Sequence, residues 1–224
     1  MAWIDISAVA VALAIVCAWL VVVLLLRARR SQRRFEILGR VAAVSESADS
    51  LENTFEAICD ILVPEVADFC MIDVIEEGEP KRVAARVAAG GSDAAEQRLK
   101  DRRPSLPEWM VSGEDGSLEP RFYERMTESD LREIAHDEEG DLEFLRGLEM
   151  RSAITLALQA RGQVKGTLTL GVAWSGRRYK QEDVRFAWIL SGRVALTLDN
   201  SGLFSDLEQA EAARAEIAKR CSAA

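Results

Sequence analysis

Two stretches of alternating apolar residues, RSAITLAL (151–158) and KGTLTLGVAW (165–174), flank the turn QARGQV, which carries Gly162. Alternation at a period of two marks a strand, and a glycine-bearing turn this short joins antiparallel neighbours. Ile154, Leu156 and Leu158 share one face of the first strand; Leu168, Leu170 and Val172 share one face of the second. The opposite faces are small: Ala153, Thr155, Ala157, Thr167, Thr169 and Gly171. This hairpin commits the second half of the chain to a sheet.

The first half supplies matching pieces. DFCMIDVIEE (68–77) reads as a strand that is apolar on both faces, with Cys70, Ile72 and Val74 on one and Phe69, Met71 and Ile75 on the other; such a strand is central. Asp73 sits within it. EGEP (77–80) turns the chain into a second strand, KRVAARVAAG (81–90), and a short polar helix is expected over Ser92–Arg102. Ahead of these, Leu51, Phe55, Ile58 and Leu62 fall on one helical stripe, with Asp49 and Glu52 in capping-box spacing and Pro64 as terminator. Residues 103–149 are acid-rich and irregular, with short helices expected over Pro120–Ala135 and Asp141–Leu148. From Glu182 to Lys219 nothing forbids a helix, about 57 Å long at 1.5 Å per residue. Val184, Trp188, Ala195, Leu198 and Leu203 mark its apolar stripe, and beyond Phe204 its Ala, Glu and Arg suit a solvated coiled coil.

At the N-terminus, Ile6 to Leu26 holds Ser7 as its one polar residue. That length, about 31 Å of helix, matches a bilayer core of about 30 Å. Arg27, Arg29, Arg30, Arg33 and Arg34 follow at once, so the positive-inside rule predicts a single-pass protein of the inner membrane, N-terminus outside and the remainder cytoplasmic. The expected organisation is a short extracytoplasmic segment (1–5), a transmembrane helix (6–26), a basic linker helix (27–47) with Phe35, Leu38, Val41 and Val44 on one stripe, a folded domain (48–204) and a helical extension (205–224). Residues 35–224 hold 23 bases against 36 acids, a formal −13, which argues against nucleic acid as a partner.

Three local words carry a likeness to a known family: LENTFEAICDILVPEVADFCMIDVIEEG, LRGLEMRSAITLALQARGQVKGTLTLG and YKQEDVRFAWILSGRVALTLDNSGLF. Together they resemble the GAF domain as found in bacterial sensor histidine kinases and PP2C-type phosphatases, over about residues 48–204. The resemblance implies an α+β fold. It has a central antiparallel sheet of five or six strands, the first and last helices on one face, and the irregular middle roofing a small-molecule pocket on the other. It also implies a dimer formed through the terminal helices. Two positions depart from the family pattern: Ala157 stands where proline is usual, and Lys180 where a threonine caps the last helix.

No catalytic set emerges, and the chain does not read as an enzyme. His136 is the one histidine, in an acidic loop, so no nucleophile–base pair can form away from it. Cys17, Cys59, Cys70 and Cys221 match neither a zinc spacing nor a Cys-x-x-Cys pair. DEEGDLE lacks the ligand alternation of a calcium loop. The cyclic-nucleotide set of the GAF family and the roof cysteine of its bilin-binding members are absent, so the cofactor is left unknown. If the implied pocket exists, the expected lining is Met71 and Asp73 from the central strand, Thr155 and Thr169 from the late strands, and Trp109, Phe122 and Tyr123 from the roof. Expected partners are the membrane through residues 6–26, a second copy in a parallel homodimer built on both terminal helices, and a separate kinase or phosphatase output protein. Three functional readings stand side by side: a ligand-binding sensory module, a dimerising scaffold without ligand, and the input portion of a histidine kinase or phosphatase.

Overall fold

A computed structural model describes residues 6–47, 50–104, 118–135 and 139–200, with side chains of the first helix described from Ile15 onward. Trp109, His136 and the extension 205–224 lie outside the described residues. The chain divides into two units, residues 1–40 and 41–224.

The first unit is helical. Helix α1 (Ile6–Ser47) continues through the arginines for 42 residues, and its last turns belong to the second unit. The expected membrane span, and with it the inner-membrane location, is corrected here: among the described residues no helix is long and apolar enough to cross a membrane. The expected linker stripe is also only partly right. Phe35 is 71% exposed, whereas Val41 is fully buried.

The second unit is built on five antiparallel strands: β1 (Phe69–Glu76), β2 (Glu79–Val87), β3 (Arg121–Tyr123), β4 (Ser152–Ala160) and β5 (Gln163–Val172). Their order is β2-β1-β5-β4-β3, so the doubly apolar β1 lies inside the sheet. Both hairpins turn on two residues with positive φ, Glu77 (53°) with Gly78 (87°) and Arg161 (51°) with Gly162 (76°). Two left-handed residues in succession give the turn whose twist matches that of the strands, and glycine takes the second place without steric cost. Within the stretch expected to be helix from Pro120, residues 121–123 instead pair with Ala153–Thr155. The outer edge of β4 offers unpaired backbone groups there, and a short extended segment satisfies them.

The helices start at recognisable caps. Helix α2 (Leu51–Leu62) is capped by Ser50, which accepts from the Asn53 amide at 3.2 Å, one residue beyond the expected Asp49. Helix α3 (Asp93–Asp101) is capped by Ser92 and α4 (Glu128–Ile134) by a full Thr127–Asp130 box; α5 (Glu139–Gly147) follows. The last helix, α6, spans 181–200 of the described residues. Lys180 offers it no capping side chain, but the Lys180 amide donates to the Asp183 carboxylate at 2.8 Å, half of a capping box.

Each face of the sheet meets its own helix layer. Cys70, Ile72 and Val74 share a face with Leu168, Leu170, Ile154 and Leu156 by register. α2 packs there, with Cys59 Sγ 3.4 Å from Cys70 Sγ, and α6 lies beside Leu156. Phe55, Ile58, Leu62, Leu190 and Val194 are fully buried in this layer. Burying such a side chain contributes about 1.5–3 kcal/mol. The end of α1 joins it: the Thr197 hydroxyl of α6 donates to Ser45 Oγ at 2.8 Å, and Ser45 donates to the Val41 carbonyl. On the other face Phe69, Met71 and Ala85 pack with Leu99 of α3, Leu131 of α4, and Leu142, Leu145 and Leu148 in and just after α5. These three helices are the roof.

Candidate functional site

The roofed face is organised in cross-strand rows. One row runs Arg121, Thr155, Thr169, Met71, Ala85; the next runs Tyr123, Ala153, Gly171, Phe69, Val87. Four expected site residues, Met71, Thr155, Thr169 and Tyr123, therefore share this face, and the register joins three of them in one line. Asp73 lies on the same face one row over, beside Thr167. Phe122 does not join them. It pairs with Ile154 and so points to the α2–α6 side, because neighbouring residues of a strand alternate between faces. Trp109 lies outside the described residues.

The rows are filled unevenly. Over β1 the face is packed. The Phe69 ring lies across Gly171, where any added Cβ would fall inside the ring, and Met71 is buried under the roof leucines. Asp73 is not left for a ligand. Arg82 of β2 donates to its two carboxylate oxygens from Nε at 2.7 Å and Nη2 at 3.0 Å, both side chains being less than a tenth exposed. The Arg82 guanidinium also reaches the carbonyls of Leu99 and Arg102, so it ties the central strand to the end of α3. Thr167 Oγ1 approaches Asp73 from the other side at 3.4 Å. A carboxylate at such a place needs these partners, because an unpaired buried charge is very costly.

Towards β3 the face opens. Thr155 and Thr169 are half-buried, with their hydroxyls 3.3 Å apart. Arg121 Nε donates to the Tyr123 hydroxyl at 3.1 Å, and its Nη2 pairs with Glu133 of α4. Burial raises the Tyr123 phenol above its ordinary value, with the Arg121 guanidinium opposing it. Two hydroxyls, a neutral phenol and a guanidinium can together hydrogen-bond a small polar or anionic group. Among the described residues no cluster of three or more His, Cys, Asp or Glu is arranged to hold a metal.

A second opening lies at the outer side of the roof. Ser92, Ala94, Ala95 and Arg98 of the α3 end face Gly140, Glu143, Phe144 and Gly147 of α5 across an open groove of about 680 Å³, with Leu148 and Trp174 at its base. The Trp174 ring packs on the Gly90–Gly91 turn closely enough that a Cβ at Gly91 would meet it. The Arg98 guanidinium stands 5.6 Å from the Phe144 ring centroid. None of these residues was singled out from the sequence, because the groove forms only when α3 and α5, some forty residues apart, come together. Arg82 was equally missed, although hairpin arithmetic across a two-residue turn at 77–78 sets it opposite Asp73.

The fold recurs among solved structures. The chain is similar to the GAF domain of a phosphoenolpyruvate-protein phosphotransferase from Coxiella burnetii (TM-score 0.58, 16% identity, covering 78% of this chain and 98% of that one). It is similar also to the GAF domain of a protein assigned as a sensor histidine kinase from Pseudomonas syringae pv. tomato (0.53, 16%, 81% and 97%). A third match is the far-red absorbing dark state of a protein with bound biliverdin IXa (0.54, 12%, 74% and 99%). No family model and no curated protein sequence matches the chain. At such identities the likeness is one of fold: a mixed α/β domain with the five-stranded antiparallel sheet of GAF domains.

Proposed function

We propose that this chain is a sensory or regulatory module that works as a parallel homodimer, taking a small ligand at the Thr155–Thr169–Tyr123 end of the roofed face and passing the change along its paired terminal helices to a separate kinase or phosphatase. The observation that carries the reading is the outward face of α6. Trp188, Ile189 and Leu196 are each at least half exposed there, and they surround Gly192. Glycine inside a helix costs about 1 kcal/mol relative to alanine. Nothing in its own domain requires it, since a Cβ at Gly192 would meet no atom within 4 Å. Beside it a notch of about 80 Å³, lined by Leu118, Leu156 and Trp188, has room for an inserted side chain. Close approach of a second α6 gives the missing side chain a reason and covers the apolar residues. The interface differs from the one expected from the sequence: Phe55, Ile58 and Leu62 of α2 and Val184 and Ala195 of α6 are spent on the domain's own core.

A second reading, a dimerising scaffold that takes no ligand at the roofed face, is favoured by the flush packing over Met71 and by the Arg82 pairing of Asp73. Both readings need the dimer. Light scattering of the full chain at tens of micromolar should return a dimer mass, and Gly192→Leu should return a folded monomer. A full chain that runs as a monomer overturns both.

A further inference from the structure

The groove between α3 and α5 shares no lining residue with the Thr155–Thr169 end of the roofed face or with the α6 notch. We propose that it is a binding site for a small zwitterion with an apolar or aromatic body, of the free amino-acid class.

Its size comes first. About 680 Å³ lies within the range of small-molecule sites, roughly 300–1,000 Å³. The groove is also kept open by residue choice. Along α5 the positions facing it are Gly140, Glu143, Phe144 and Gly147, a helical spacing of three and four. Neither glycine has a positive φ, and a Cβ on either would meet nothing within 4 Å. Backbone strain and crowding therefore do not explain them. What they leave is depth around Phe144, with the Trp174 indole and Leu148 below.

Charge then names the occupant. Arg98 on the α3 wall reaches no carboxylate among the described residues; its guanidinium lies over the Phe144 ring. Glu143 on the α5 wall likewise pairs with no cation among the described residues, and the two are not within 4 Å of each other. Neighbouring roof charges are satisfied: Arg102 with Asp141, Arg146 with Glu128, and Lys100 with Glu96. One exposed charge of each sign, unpaired among the described residues, on facing walls above an aromatic base, fits a ligand that carries both. The ligand carboxylate accepts two hydrogen bonds from the planar Arg98 fork, and its ammonium donates to Glu143; such charge-assisted bonds are the stronger kind. The side chain covers Trp174 and Phe144. A simple anion would leave Glu143 as a repulsive neighbour, and a simple cation would do the same with Arg98.

The site does not depend on the dimer or on the roofed face, so it stands or falls separately. Calorimetric titration of the full chain with L-phenylalanine, N-acetyl-L-phenylalanine and L-phenylalaninamide tests it. Free L-phenylalanine should bind, and each blocked compound should bind at least about tenfold more weakly for want of one charge-assisted bond. Arg98→Met and Glu143→Gln should each lower the affinity for L-phenylalanine to a similar degree. Gly147→Leu, which fills the groove, should abolish binding while the protein stays folded, since a Cβ there meets no atom within 4 Å. The proposal is overturned if L-phenylalanine, L-leucine and L-tryptophan all give no heat up to about 10 mM. Equal affinity for the free and blocked compounds overturns it too, as does binding that survives both charge substitutions.

Discussion

Asp73 shows what a single residue can and cannot declare. From the sequence it is a carboxylate in an apolar strand; in the fold it is half of a buried pair with Arg82. Removing one partner of such a pair strands the other charge and typically costs about 3–5 kcal/mol, whereas replacing both with apolar residues is often neutral. Arg82→Met should therefore destabilise the protein by several kcal/mol in urea denaturation, and Arg82→Met with Asp73→Leu should recover most of the loss. Asp68 has a different role. Its carboxylate accepts from the Ala173 and Ser175 amides, both at 2.8 Å, and from Arg177 at 3.1 Å, stapling the start of β1 to the end of β5. Burial alone would raise this carboxyl, but the amides and the guanidinium outweigh it and hold the group below its ordinary value. A carboxyl depressed on folding stabilises the protein above its unfolded value, about 3.9, and that share is lost as pH falls through the folded value. The acid arm of a stability–pH curve should flatten in Asp68→Asn, with the difference from the parent shrinking below about pH 4. An acid arm of unchanged shape would mean that Asp68 is not among the groups that govern it.

Among the elements, α6 is the one whose ends and faces both invite change. Its start lacks a capping side chain at Lys180, although Asp183 already bonds the Lys180 amide. Threonine at 180 would complete the box by offering the Asp183 amide, which already bonds the Lys180 carbonyl at 2.8 Å, a side-chain acceptor worth about 1 kcal/mol. Lys180→Thr should raise the melting temperature, and Asp183→Ala should lower it; a Lys180→Thr variant no more stable than the parent would mean that the Lys180 carbonyl alone serves that amide equally well. The faces of α6 divide sharply. Val184, Ala187, Leu190, Ser191, Val194 and Ala195 turn inward, while Trp188, Ile189 and Leu196 turn outward. An apolar residue at nearly every turn of both sides hides this division from any periodicity count. That is why Trp188 falls on the apolar stripe read from the sequence although it faces outward.

Across the whole domain the roof is tied to the sheet by two arginines in series. Arg82 joins β1 to the end of α3, and Arg102 carries the connection on, reaching Asp141 of α5 at 2.7 Å and the Ile134 carbonyl of α4 at 2.7 Å. Arg102 and Asp141 are largely buried, so this is not an ordinary surface pair. Arg102→Met should loosen α4 and α5 locally. Hydrogen exchange should quicken across 128–147 and stay slow in α2, β1 and β5. Uniformly faster exchange would show instead that the roof and the sheet open together.

The sequence by itself determined what depends on near neighbours. Period-two alternation set the β4–β5 hairpin and its bulky and small faces, the glycines at 78 and 162 set the two tight turns, and parity put Thr155 and Thr169 on the small faces of their strands and Met71 beside Phe69 on one face of β1. Fold class came from the likeness of three local words to the GAF domain. The tertiary structure decided what depends on distant ones. It turned Arg121–Tyr123 into an edge strand because β4 had unpaired groups to offer, and so set Phe122 opposite Tyr123. It used the small face of β5 to seat the Phe69 ring, and it opened a groove between α3 and α5. The physical reason is range: backbone preference and side-chain alternation act over a few residues, whereas burial and ion pairing depend on which surfaces finally meet.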